Sequence, residues 1–225
     1  MDTDFTRDLE VGHKFPNRET LRGYYPNIAG GIGLPGRNPG FAVVAGLRPV
    51  QQKGLYEIHV LDEIEEGDLR ELLTACRGVG ARYRTKADES FRWYADSSDT
   101  GAQRMAWAIN GELPEDPRSQ NDALYLAPAP VSMLNEPRYP YMLAQLREWT
   151  KPERKQLFLK GGKAAAYLRD VPQGEDPSQL PPRAYPAIEA LAFVVEMLRN
   201  CAQSEEDGAY DRHAGPPRPN SPMTF

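Results

Sequence analysis

The chain has 225 residues, 40% hydrophobic and 26% charged, enough for one substantial core in a soluble globular domain. Its formal net charge of -5 excludes a broadly basic nucleic-acid surface and leaves room only for a local basic strip. No run approaches the roughly 20 apolar residues needed to span a bilayer, and the acidic start "MDTDFTRDLEVGHKF" has no apolar signal core, so the expected compartment is a reducing cytoplasm.

Residues 1–27 are charged and read as an irregular N-terminal segment ahead of one domain expected over 28–202. The glycine- and proline-dense "IAGGIGLPGRNPG" leads into "FAVVAGLRP". There, residues 41–46 are short, apolar and β-branched at the centre, which predicts a buried strand with 28–34 as its hairpin partner. "GLYEIHVLDEI" alternates apolar and polar positions and predicts a third antiparallel strand, with His59 and Asp62 facing solvent. The period then changes. In "EEGDLRELLTACRGVGARY" Leu69, Leu72, Leu73 and Cys76 recur at helical spacing, Asp68 is placed to cap, and Gly78 and Gly80 are expected to stop the helix.

"SFRWYADSSDTG" follows, with residues 91–95 as a fourth strand that ends at Asp96, and "DTGAQRMAWAING" as a helix capped by Asp99 or Thr100. A short strand over 124–127 and a helix in "PYMLAQLREWT" precede the basic run "KPERKQLFLKGGKAAAYLRD" and a proline-dense loop over 171–182. The last strong helix is "YPAIEALAFVVEMLRNCA", with Ile188, Leu191, Ala192, Val195 and Leu198 as its core stripe. Residues 203–225 read as a disordered or surface-draped tail.

Several side chains have two readings. Cys76 and Cys201 match no metal-ligand spacing and read as packed thiols, and His13, His59 and His213 stand apart from one another, which disfavours zinc. Trp93, Trp107 and Trp149 read as core residues rather than base-stacking platforms. Asp96 is either a turn residue in an Asx-rich turn or a metal ligand at a strand end. Glu189, in the first turn of the last helix, is either a partner of the helix dipole or a second ligand. Lys151, Arg154, Lys155, Lys160, Lys163 and Arg169 form either a solvated face or a strip that contacts phosphates without reading bases.

Three strands, a helix, a strand, a helix, a long segment and a closing helix is the order of a ribonuclease H-like domain, an α/β fold with a mixed sheet flanked by helices. Through "FAVVAGLRP", "GLYEIHVLDEI", "RWYADSSDTG" and above all "YPAIEALAFVVEML", residues 28–199 resemble the C-terminal nuclease domain of phage terminase large subunits. The resemblance implies metal-dependent hydrolysis of DNA during packaging, in the cytoplasm of a bacterial host, with double-stranded DNA, the portal and the small terminase subunit as partners. It implies Mg²⁺ or Mn²⁺ held by acids on the first strand, at the end of the fourth strand and at the start of the late helix. Asp96 and Glu189 match the last two places, as catalytic and metal-binding residues.

Two departures qualify it. No G-x-x-x-x-G-K-[ST] occurs, so the packaging ATPase is missing from this sequence. Gly33 or Leu34 stands where the first-strand acid belongs; Asn38 is the nearby polar ligand candidate, and Asp62 on a neighbouring strand is the other carboxylate that could fill the gap. Two-metal hydrolysis needs cations roughly 3.5–4 Å apart, and the missing acid normally bridges them. Three readings follow: an impaired metal-dependent endonuclease, a non-catalytic DNA-binding or phage assembly protein that retains the fold, or an enzyme whose site these motifs do not reveal. On the second, an acid restored at Gly33 or Leu34 is expected to create metal-dependent nicking that Asp96→Asn abolishes.

Overall fold

A computed structural model describes residues 21, 23–50, 56–84, 90–113, 121–135, 137–150, 157–159, 162–170 and 176–206. Strand β1 (Asn27–Gly33) pairs antiparallel with β2 (Gly40–Pro49), which pairs antiparallel with β3 (Tyr56–Glu66). Helix α1 (Leu69–Tyr83) then leads to β4 (Arg92–Ala95), parallel to β1, and α2 (Thr100–Asn110) leads to β5 (Tyr125–Pro128), parallel to β4. A short α3 (Val131–Leu134) and α4 (Arg138–Thr150) precede β6 (Leu157–Phe158), which lies parallel to β3. Helix α5 (Lys163–Asp170), a 3₁₀ turn (Pro177–Gln179) and α6 (Pro186–Glu206) complete the order. The sheet runs β5-β4-β1-β2-β3-β6. This is the α/β mixed sheet flanked by helices that the element order leads one to expect.

The sheet buries both faces, so β2 is apolar almost end to end rather than alternating. One face packs Phe41, Val43, Ala45 and Leu47 against α4 and α6. The other packs Ala42 and Val44 with Trp93 against α1 and α2. Helix starts follow their side-chain caps: Asp68 accepts from the backbone N–H groups of Arg70 and Glu71 at 2.7 and 3.1 Å, and Asp99 from that of Ala102 at 2.8 Å.

Several local expectations are corrected. Helix α1 runs through Gly78 and Gly80 to Tyr83. At Gly80 a Cβ would come 2.9 Å from Trp93 Nε1, so this glycine admits the strand beneath the helix, and tertiary packing overrides its poor helix propensity. Trp107 is 71% exposed, because α2 buries the Ala102, Ala106 and Ile109 face and leaves position 107 on the other side. His59 is fully buried, covered by Tyr25 from the segment expected to be irregular and by Phe158 of the edge strand β6. Asp62 is half-buried and paired with Arg82 at 3.2 Å. The final helix continues past residue 202 to Glu206.

Candidate functional site

The end of β4 and the start of α6 meet on one face of the sheet. By the period of the strand, Trp93 and Ala95 point to the α1/α2 side and Tyr94 to the α6 side, so the next residue, Asp96, is directed toward α6. Its Oδ1 accepts hydrogen bonds from Ser98 N and Ser98 Oγ at 3.0 and 2.7 Å, an Asx turn that fixes the carboxylate. The turn reading of Asp96 is met: Oδ1 closes the turn, while Oδ2 faces the Arg138 guanidinium.

Glu189 reaches the same place from the first turn of α6 and is 1% exposed. Its Oε1 accepts from Tyr139 OH at 2.9 Å and from the backbone N–H of Arg183 at 2.8 Å. Tyr139 OH in turn accepts from Tyr185 N at 2.9 Å. Between the two acids lies Arg138, the first residue of α4: its Nη1 is 3.2 Å from Asp96 Oδ2 and 3.6 Å from Glu189 Oε1. One nitrogen thus touches both carboxylates, and sequence-distant Asp96 and Glu189 do converge.

Arg183 extends the cluster outward. Among the described residues it is the non-glycine residue with a left-handed backbone, at φ 65°, and from that conformation its N–H reaches Glu189 while its Nη2 sits 2.5 Å from Asp99 Oδ2. Positive φ at a non-glycine residue is held only where its surroundings over-determine it. Asp99, read as the helix cap, is that cap and also this partner.

Burial is the largest influence on both acids and opposes their ionisation. For Glu189 it prevails over the Arg183 N–H, Tyr139 and Arg138, and the carboxyl is raised above its usual range. For Asp96 it is outweighed by the two Ser98 hydrogen bonds and Arg138, so the carboxyl is held below its usual range.

The first-strand position is closed. Gly33 continues β1 beside the residue that follows β4, and a Cβ on it would lie 1.9 Å from the backbone oxygen of Pro186, the first residue of α6. At Gly31 the clash is with the backbone oxygen of Ala190, again at 1.9 Å. Helix α6 therefore rests directly on the β1 backbone, in the volume a first-strand acid would need. Leu34 points to the opposite core with Ile32 and Leu72. The geometry opposes the expectation that an acid at either position rebuilds a metal site: one would collide with helix backbone and the other would enter the wrong face.

Asp62 does not fill the gap either, since it pairs across from Val44, whose side chain belongs to the α1/α2 face. Asn38 donates its Nδ2–H to Ala184 O at 2.6 Å, tying the β1–β2 loop to the turn before α6, and makes no hydrogen bond to either carboxylate among the described residues. Of the basic strip, Lys151, Arg154, Lys155 and Lys160 lie outside the described residues, and the Lys163 ammonium is bound to Glu65.

Among the described residues no cluster of three or more His, Cys, Asp or Glu could hold a metal ion. Two carboxylates with a guanidinium between them do not fit Mg²⁺ or Mn²⁺, which need anionic oxygen ligands and room for several waters. Sequence reasoning missed Arg138, Tyr139 and Arg183. A signal for the first was available: "NEPRYPYM" puts an arginine in the first turn of a helix, where the macrodipole repels a cation, so a stronger anionic partner had to be nearby.

No protein-family model matches the chain, and no curated protein matches it. Among solved structures, the large-terminase nuclease domain of bacteriophage SPP1, determined with bound Mn, aligns at 16% identity over 80% of this chain and 91% of that one, with a TM-score of 0.46.

Proposed function

We propose that this chain is a terminase-nuclease-like domain that has lost two-metal hydrolysis and acts by binding, as a DNA-binding or phage assembly protein built on the nuclease fold. The observation that carries this reading is the contact of α6 with β1: the Pro186 carbonyl occupies the space of the acid that would bridge two cations. Without that acid the geometry for in-line attack on a phosphodiester is absent, whatever Asp96 and Glu189 retain. Duplex DNA is the partner the terminase resemblance implies.

Supercoiled plasmid incubated with the protein in Mg²⁺ or Mn²⁺ should stay intact, at rates indistinguishable from an Asp96→Asn control. Nicking by the wild-type chain that Asp96→Asn abolishes would overturn the reading.

A further inference from the structure

We infer that Arg138 stands in for the divalent cation of this fold: its guanidinium neutralises the retained acids Asp96 and Glu189, and in doing so converts a hydrolytic centre into a structural clamp. This deepens the reading that the domain is non-catalytic and rests on it, yet it makes a claim of its own about what holds the acids.

Three features support the assignment. The first is position: Arg138 Nη1 lies within 3.6 Å of both carboxylates, the place a shared cation would take. The second is burial. Asp96 and Arg138 are each 7% exposed and Glu189 is 1% exposed, so the guanidinium sits inside the protein, where an unpaired charge would be very costly. The third is reach. Through these side chains the end of β4, the start of α4, the turn before α6 and α6 itself are joined, and Arg183 adds the cap of α2. Metal ions join elements in the same way when several chain segments converge on one cation. A guanidinium does this with directed N–H groups and permanent charge, independent of metal supply.

The assignment predicts that wild-type protein ignores hard cations, and that removing the guanidinium leaves two buried acids able to take one. Thermal unfolding would be followed for wild type, Arg138→Gln, Arg138→Lys and the Arg138→Gln/Asp96→Asn double variant, each titrated with MnCl₂ in a non-chelating buffer. The expected result is an Mn²⁺-dependent rise in the melting temperature of Arg138→Gln alone, growing with concentration as site binding requires. Wild type, Arg138→Lys and the double variant should not shift. If Arg138→Gln folds poorly, its refolding yield with and without Mn²⁺ gives the same readout, and equal yields overturn the inference. So does a wild-type shift that Asp96→Asn removes, because the cation would then displace Arg138 rather than be replaced by it. A wild type that neither cleaves DNA nor ignores Mn²⁺ would sink this inference while leaving the non-catalytic reading intact.

Discussion

Arg138 shows how much one side chain can decide. Removing one partner of a buried ion pair leaves an uncompensated charge and costs about 3–5 kcal/mol, so Arg138→Gln without metal should lower stability in urea by that order. The two acids should differ. Asp96, held low, contributes stability that is present above the ordinary carboxylate pKa of 3.8 and is lost as pH falls through its lower folded value. Glu189 is raised, so its contribution is present below 4.5 and is lost as pH rises through its higher folded value. At pH 7 to 8, Glu189→Gln should therefore cost less than Asp96→Asn, measured by urea unfolding; the reverse order would show that Glu189 contributes more than Asp96 to holding Arg138.

His59 makes an independent case at the same scale. An ionised Glu57 can only accept, so the Nε2–H of His59 donates to it at 3.1 Å and the neutral ring takes the Tyr25 hydroxyl on Nδ1 at 2.9 Å. Burial, with Arg48 adding to it, lowers His59 to about 3. A depressed folded pKa means the neutral ring stabilises fully above pH 6.5 and progressively less on descending toward 3, at about 1.4 kcal/mol per unit. Stability measured from pH 7 to 4 should fall with this slope in wild type, and His59→Phe should flatten it even though it removes two hydrogen bonds.

At the scale of elements, the contact between α6 and β1 decides what the site can become. Gly33→Asp forces a side chain onto helix backbone, which cannot yield as a flexible side chain would; overpacking of this kind costs about 1–3 kcal/mol or more. The variant should melt lower than wild type and nick no plasmid. Strand and helix identities were readable because period, caps and breakers each act locally: Asp68 and Asp99 cap where expected, and β1, β2 and β3 form the antiparallel succession. The places of Asp96 just after a strand end and of Glu189 at a helix start were likewise readable. What governs the site was not. Whether "GGIG" marks a loose turn or a strand under a helix depends on α6, which lies more than 150 residues further along the chain. The same limit applies to His59, whose covering groups come from either side of it in sequence.

For the whole molecule, charge distribution bears on the partner. The formal net charge is -5, and the Lys163 ammonium is engaged by Glu65, whose other oxygen accepts from Tyr167 OH at 2.6 Å, while Glu63 caps the start of α5 through Lys163 N at 2.7 Å. A lysine so occupied must break its pair before meeting a phosphate, so Lys163 is a poor candidate for the DNA contact the strip was expected to make. If the domain holds duplex DNA, the contact falls to Lys151, Arg154, Lys155 and Lys160. Retardation of a duplex should then weaken steeply with salt, since each neutralised phosphate releases condensed counterions. Replacing those four residues together by alanine should reduce the slope of log affinity against log salt by about 0.9 for every phosphate no longer neutralised, whereas Lys163→Ala should leave that slope unchanged. A slope that drops in Lys163→Ala would show that the pair with Glu65 opens on binding. No retardation of wild type at low salt would remove DNA as the partner.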